Sequence, residues 1–245
     1  MAPQFHAAIQ SFAASSTTFK LIRSFSPNAP AGALHILDSS FNPPTRAHLS
    51  LARTAAPGAR ILLLLATKNA DKPAAPASFE DRLEMMHRLA GALQTRNIDI
   101  AITKHSLFVA KAADIAREYR GASQTYPMGF DTLVRVLDAK YYTGPEGMHV
   151  LDDFFGGANR VLCQLRGEGL DAQREYFENL RRGDVAGCRR EWADKIDVVE
   201  AGPDISSSAA RETVAKGNSA ALEEMLTAEV VEWVKSRGLY VKDEY

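Results

Sequence analysis

The chain has 245 residues, of which 46% are hydrophobic, and a formal net charge of −1. This size and composition allow one sizeable core, so a single domain is expected. A near-neutral charge without a long basic run argues against a general nucleic-acid binder, and no apolar run is long enough to span a membrane. Cys163 and Cys188 lack metal-ligand spacing. We interpret them as reduced thiols and expect a location in the cytoplasm, the nucleus or both.

The N-terminal segment allows two interpretations. The first 37 residues contain no Asp or Glu, include Lys20 and Arg23 and are rich in Ser and Ala, which resembles a mitochondrial presequence. Because the basic residues are few, we favour a helix packed on the rest of the protein. Its apolar face would comprise Phe5, Ile9, Phe12, Phe19, Leu21 and Ile22. We therefore divide the chain into a helical extension, residues 1–30, and a domain, residues 31–245.

Six short apolar or β-branched runs bounded by turn residues predict strands. They are Ala33–Asp38, Arg60–Ala66, Ile98–Thr103, Gln124–Gly129, Arg160–Leu165 and Ile196–Val199. Between them, apolar residues recur at helical spacing over Phe79–Leu93 and, more weakly, over Val109–Tyr119. Alternating strands and helices predict a doubly wound, Rossmann-like parallel sheet of the α/β class, with ligands at the carboxyl ends of its strands.

The segment Ser39–His48, with the sequence SSFNPPTRAH, follows the first predicted strand and opens a helix. A strand, a tight polar turn and a helix N-terminus form a site where backbone N–H groups and the positive end of the helix dipole can hold phosphate. Thr45 and His48 are three residues apart, so both lie on the face of the helix that meets the turn. The segment therefore predicts a binding site for a nucleoside triphosphate.

This segment resembles the signature turn of the nucleotidylyltransferase superfamily, and its wording is most similar to that of the nicotinamide mononucleotide (NMN) adenylyltransferases. Two further motifs support the resemblance. The tripeptide GFD ending at Asp131 is similar to their GxD motif, and ISSSAAR, ending at Arg211, is similar to their ISSTxxR motif. The resemblance extends from about Leu34 to Arg211 and is closest to a fungal branch of these enzymes.

The chain departs from the family pattern at three places. Ser39 and Ala47 stand where glycines are usual, and Ser39 places a Cβ beside the proposed phosphate site. The tryptophan that often stacks on the nicotinamide ring has no evident counterpart after the third predicted strand, where Phe108 is the nearest aromatic residue. The sequence therefore leaves the pyridine pocket undefined.

The resemblance implies a set of site residues. It assigns nucleotide contacts to Ser40, Phe41, Asn42, Thr45, His48, Gly129, Asp131, Ser206, Ser207, Ser208 and Arg211, and catalytic roles to His48, Lys68 and Arg211. His48 would contact the ATP phosphates and stabilise the transition state, and Asp131 would receive ribose hydroxyls. Arg211 lies three residues after Ser208, on the same helix face, and its planar fork suits phosphate oxygens.

Simpler interpretations of several of these residues remain open. Asp131 could cap a helix that begins near Thr132, and Ser206, Ser207 and Ser208 are ordinary N-cap residues. Lys68, which directly follows a predicted strand, could reach a phosphate or be a solvated surface charge.

The function implied by the resemblance is the joining of ATP and NMN to give NAD and pyrophosphate. Mg²⁺ would be held mainly by phosphate and water, and no protein metal ligand is predicted. The expected partners are ATP and either NMN or nicotinic acid mononucleotide, without nucleic acid or membrane, and the oligomeric state is open. One alternative is another nucleotidylyltransferase with a different phosphorylated acceptor. A second is a nucleotide-binding regulatory or chaperone-like module with little transferase activity.

Overall fold

A seven-stranded sheet forms the centre of the protein. The computed structural model describes residues 3–67, 76–199 and 202–241. Its strands are β1 Phe19–Ser24, β2 Ala33–Asp38, β3 Arg60–Ala66, β4 Ile98–Thr103, β5 Ser123–Gly129, β6 Asn159–Gln164 and β7 Ile196–Val199. They lie in the order β1-β4-β3-β2-β5-β6-β7. β1 pairs antiparallel with β4, and every other neighbouring pair is parallel.

Helices cover both faces of this sheet. Those in the described ranges are α1 Pro3–Ala14, α2 Arg46–Arg53, α3 Phe79–Gly91, α4 Phe108–Glu118, α5 Phe130–Val136, α6 Val150–Gly156, α7 Leu170–Arg182, α8 Ser207–Ala215, α9 Ser219–Met225 and α10 Ala228–Ser236. α1, α2 and α3 contribute to the core on one face, and α4 to α7 contribute to the core on the other. None of the described helices is long and apolar enough to cross a membrane.

The core follows from the sequence of the central strand. In β3, Leu62 and Leu64 point to one core, whereas Leu63 and Leu65 point to the other, and all four are fully buried. A parallel strand covered by helices on both faces is apolar at every position, which explains the run of leucines. Full burial of one such side chain contributes about 1.5–3 kcal/mol.

The architecture confirms the predicted fold class. Four predicted strands have the predicted bounds, β5 begins one residue earlier than predicted, and β6 begins and ends one residue earlier. The predicted helices over Phe79–Leu93 and Val109–Tyr119 correspond to α3 and α4. After β2 the chain adds β3 and β4 on one side, and then β5, β6 and β7 on the other. The switch point therefore lies between β2 and β5, where ligands of doubly wound sheets bind.

The N-terminal segment differs from its prediction in one part. α1 is helical and buries Phe5 and Phe12, but a helix over Phe19–Ile22 is wrong, because Phe19–Ser24 forms β1. This strand pairs along β4, with Phe19 opposite Thr103 and Ser24 opposite Asp99. Backbone pairing with a neighbouring strand outweighs local propensity here, and it covers an edge of the sheet that would otherwise be open.

Candidate active site

The turn after β2 is held in place by distant parts of the chain. The Arg211 guanidinium donates to the Asn42 carbonyl oxygen at 2.7 Å, and Ser207 Oγ donates to the Pro43 carbonyl oxygen at 2.8 Å. The Tyr240 hydroxyl donates to Asn42 Oδ1 at 2.8 Å. Phe41 adopts φ 45°, a left-handed backbone conformation that is rare for side chains of this size, and its ring is fully buried. The turn is thus fixed before any ligand binds.

His48 closes the N-terminus of α2. Thr45 is the N-cap residue, and its backbone N–H donates to His48 Nδ1 at 3.0 Å. His48 therefore occupies the capping-box position where Glu or Gln usually accepts this hydrogen bond. On the other side of the ring, Nε2 lies 2.8 Å from Ser39 Oγ. The imidazole is therefore held at both nitrogens.

The charge state of His48 follows from its surroundings. Burial, and after it the nearby positive charge of Arg166, lower the pKa of His48 from its ordinary value of 6.5 to about 4. The ring is therefore neutral at physiological pH. Because Nδ1 accepts the Thr45 N–H, the single proton of the neutral ring is on Nε2.

A cleft of about 540 Å³ opens at the carboxyl ends of β2, β5 and β6. Most of the predicted site residues line it, namely Ser40, Asn42, His48, Gly129, Asp131, Ser206, Ser207, Ser208 and Arg211. Phe41 and Thr45 do not, since both side chains are fully buried beneath the turn. Lys68 lies outside the described residues, so its predicted role stays a prediction, as do the nucleotide contacts of the other residues.

Asp131 lies in the first turn of α5, where it forms an ion pair. The N-cap residue of α5 is Gly129. The alternative of Asp131 as the helix cap is therefore wrong. Its carboxylate instead accepts from the Arg166 guanidinium at 2.5 Å, and both side chains are partly exposed to the cleft. A carboxylate at this position can receive hydroxyl groups, and an arginine beside it can receive phosphate.

The N-terminus of α8 forms the wall of the cleft opposite the turn after β2. Ser206 is its N-cap residue, and the side chain accepts from the Ala209 N–H at 3.0 Å. Arg211 donates through its second terminal nitrogen to Ser208 Oγ at 3.0 Å. The capping interpretation of Ser206 is therefore correct. Because Ser206, Ser207 and Ser208 also line the cleft, the positive end of the α8 dipole faces the space between the two walls.

Four charged residues line this cleft that the sequence did not single out, namely Asp38, Arg82, Arg135 and Arg166. Arg166 follows β6, and position at the carboxyl end of a predicted strand was the available signal for it. Arg82 and Arg135 lie within helices and gave no local signal. Asp38 ends β2 and forms a buried ion pair with Lys111 of α4, so its carboxylate is already neutralised.

The cleft offers few side chains that could hold Mg²⁺ directly. Among the described residues no group of three or more His, Cys, Asp or Glu side chains is placed to hold a metal. The two cleft carboxylates, Asp38 and Asp131, are each paired with a cation. These residues fit Mg²⁺ that is held by nucleotide phosphates and water, the usual arrangement for this ion in nucleotide sites.

The fold and the cleft define an α/β protein of the nucleotidylyltransferase class, in which the turn after β2, the strand ends and the N-terminus of α8 line one cleft. A Schizosaccharomyces pombe protein described as "Putative nicotinamide mononucleotide adenylyltransferase" is 35% identical over 209 residues, which cover 82% of this chain and 84% of that protein. The chain therefore belongs to the nicotinamide mononucleotide adenylyltransferase family. No family model matches it.

Solved structures agree on the fold. Nicotinic acid mononucleotide adenylyltransferase of Plasmodium falciparum, complexed with NaAD, superposes with a TM-score of 0.61 at 14% identity, over 85% of this chain and 97% of that one. A "Putative Nicotinate-nucleotide Adenylyltransferase" of Vibrio parahaemolyticus superposes with a TM-score of 0.52 at 17% identity, over 86% of this chain and 96% of that one. The predicted family is thus confirmed by the sequence relative, and the predicted fold by these structures.

Proposed function

We propose that the protein joins ATP and NMN to give NAD and pyrophosphate. The observation that carries the proposal is His48, whose ring is held at both nitrogens on the turn after β2, in one cleft with the N-terminus of α8. Family membership supports the same reaction, since the S. pombe relative has an NMN adenylyltransferase as its description.

The chemistry needs no protein nucleophile. A phosphate oxygen of NMN attacks the α-phosphorus of ATP, a new phosphoanhydride bond forms, and the bond to the bridging oxygen breaks. Pyrophosphate leaves with that electron pair. The attacking phosphate has a second pKa near about 6 and is largely dianionic at neutral pH, so no strong general base is needed. A His48 that stays neutral suits this reaction, because it is required to donate a hydrogen bond and not to take a proton.

The cleft residues would act by position and charge. The N-termini of α2 and α8 would hold phosphates, and Arg211 would bind the outer phosphates of ATP while it fixes the Asn42 carbonyl. Asp131 would receive ribose hydroxyls, which frees Arg166 to approach a phosphate. Mg²⁺ bound with ATP would neutralise part of the phosphate charge. Fixed donors of this kind stabilise the charge that develops in phosphoryl transfer.

Two further proposals concern the acceptor nucleotide and the location of the protein in the cell. The acceptor is either NMN or nicotinic acid mononucleotide, and a carboxylate on the pyridine ring would require a cation at its end of the cleft. We also propose a location in the cytoplasm, the nucleus or both, which agrees with the free thiols of Cys163 and Cys188.

The direct test is product formation. Purified protein is incubated with ATP, Mg²⁺ and either NMN or nicotinic acid mononucleotide, and the dinucleotide and pyrophosphate are measured. We expect dinucleotide with at least one acceptor, and His48→Ala is the matched negative control. ATP binding by calorimetry without any dinucleotide would instead identify a binding module. A dinucleotide formed only from another phosphorylated acceptor would identify a different nucleotidylyltransferase.

A further inference from the structure

The hydroxyl of Ser39 lies within hydrogen-bond distance of the Nε2 atom of His48. Ser39 is the first residue after β2, its backbone N–H donates to the Leu64 carbonyl oxygen at 3.2 Å, and it lines the cleft together with His48. The backbone bond fixes Ser39 relative to the sheet. The side chain is therefore carried by a rigid strand end and not by a mobile loop.

The direction of the hydrogen bond between the two residues follows from the partner of the other ring nitrogen. A backbone N–H can only donate, so the Thr45 N–H makes His48 Nδ1 an acceptor. The proton of the neutral ring is then on Nε2 and points to Ser39 Oγ, 2.8 Å away. Ser39 Oγ is the acceptor in this bond. Its own O–H remains to donate, and within the described ranges the side chain makes no second hydrogen bond that would use it.

We propose that the Ser39 hydroxyl is a catalytic group that donates its hydrogen bond to a phosphate oxygen of bound ATP, while it accepts a hydrogen bond from His48 Nε2–H. This inference rests on the proposed function and refines it, because the contact of His48 with the phosphates then runs through Ser39. No proton is transferred and no bond to Ser39 forms. A hydroxyl that accepts a hydrogen bond becomes a better donor, since successive hydrogen bonds polarise one another.

The kinetic test uses two variants of Ser39 and one of His48. Hydrogen bonds to charged groups contribute about 1.5–3 kcal/mol, so Ser39→Ala and Ser39→Gly should each lower kcat by roughly 10- to 100-fold. Because Ser39 and His48 act as one unit, the double variant Ser39→Ala with His48→Ala should be no slower than His48→Ala alone. Ser50→Ala, a change in α2 away from the cleft lining, is the matched control. Unchanged kcat in Ser39→Ala, or fully additive losses, would overturn the proposal.

Two measurements remain informative if no dinucleotide is formed, which would defeat the proposed function by itself. In calorimetry, Ser39→Ala should lose roughly tenfold in affinity for ATP and nothing for adenosine, which has no phosphate. Equal ATP affinity of the two proteins would overturn the contact. Nitrogen NMR of the wild-type protein should show His48 protonated on Nε2 and unprotonated on Nδ1. A spectrum with the proton on Nδ1 would contradict the geometry on which the inference depends.

Discussion

Two aspartate–arginine pairs lie at opposite ends of the sheet and differ in what surrounds them. Asp99 and Arg60, at the amino ends of β4 and β3, are 2.8 Å apart with side chains 1% and 3% exposed. Asp131 and Arg166, beyond the carboxyl ends of β5 and β6, are 2.5 Å apart with side chains 57% and 32% exposed. The same chemistry therefore has two uses. The sealed pair, Asp99–Arg60, holds the fold together, and the open pair, Asp131–Arg166, can exchange its partners for a ligand.

The hydrogen bonds around the sealed pair show which parts of the chain it connects. Arg60 donates both to the Asp99 carboxylate and to the carbonyl oxygens of Ser26 and Ala29, and the Tyr119 hydroxyl donates to Asp99 at 2.7 Å. Burial and this hydrogen bond raise the pKa of Tyr119, so it stays a donor. The sealed pair thus joins four segments of the chain, namely β3, β4, the segment after β1 and the end of α4.

Breaking the sealed pair should have the largest effect on stability. Asp99→Ala leaves the Arg60 charge buried without its partner, which costs about 3–5 kcal/mol for a buried pair. Urea unfolding followed by circular dichroism measures the loss. Asp197→Ala, which removes the exposed pair with Arg160, is the control and should cost at most about 1 kcal/mol.

If Asp99→Ala does not fold, Tyr119→Phe provides a milder form of the same test. It removes one hydrogen bond to Asp99 and should cost about 1 kcal/mol. Stability equal to wild type in both variants would show that the sealed pair contributes nothing to the fold.

At the cleft end, His48→Ala should change turnover more than stability. Loss of the donor that supports the Ser39 hydroxyl should lower kcat by roughly 10- to 100-fold, the same range as Ser39→Ala, whereas the lost capping interaction costs only about 1 kcal/mol. Steady-state kinetics and thermal unfolding of the same sample separate the two effects. A variant with normal kcat would remove His48 from the reaction.

Arg211→Lys should weaken ATP binding by roughly 10- to 100-fold, because lysine offers a point charge where arginine offers a planar fork. Calorimetry with ATP, ADP and AMP makes the test specific, since AMP lacks the outer phosphates and should lose little affinity. Arg211 also donates to Asn42 and Ser208. An equal loss for all three nucleotides would therefore indicate a displaced turn and not a lost phosphate contact.

Asp131→Asn tests the open pair directly. The variant keeps the size of the side chain and removes its charge, so ATP affinity should fall roughly tenfold through weaker ribose hydrogen bonds. Stability should change by at most about 1 kcal/mol, because the pair with Arg166 is partly exposed. A large loss of stability with unchanged affinity would make this pair structural, like the one at the other end of the sheet.

Acid stability tests the cleft end of the sheet through the charge of His48. The folded protein lowers the pKa of His48 from 6.5 to about 4, so between these values the unfolded chain binds more protons and stability falls as the pH falls. Burial lowers the pKa of His35 and His87 in the same direction. His48→Gln keeps a capping-box residue and removes the titration. Its urea midpoint should therefore drop less between pH 7 and pH 4.5 than that of wild type, and an equal drop would contradict the assignment.

Much of the sheet could be predicted because its information is local. Strands β2 to β7 are short apolar runs between turn residues, so each can be recognised from its own residues alone. β1 could not be predicted in this way, because Phe19–Ser24 becomes a strand only by pairing with the edge of β4. Its own residues also fit the apolar face of a helix.

The same distinction between local and non-local information applies to the residues of the candidate site. The turn, the GFD tripeptide and the opening of α8 are contiguous motifs, and the structure brings them to one cleft. Arg82 and Arg135 are single charged residues within helices, so nothing local distinguishes them, whereas Arg166 directly follows a predicted strand. The hydrogen bond between Ser39 and His48 depends on a rotamer and a tautomer, which composition and spacing do not encode.

The hydrogen bonds that secure Asn42 set an order of assembly. Arg211 and Tyr240 reach it across 169 and 198 positions of sequence. During synthesis the turn is made well before either of its two anchors. The nascent chain can therefore form most of the sheet before the cleft has its final shape. Contacts of such long sequence separation form late and slowly, so nucleotide binding should be acquired at the end of folding.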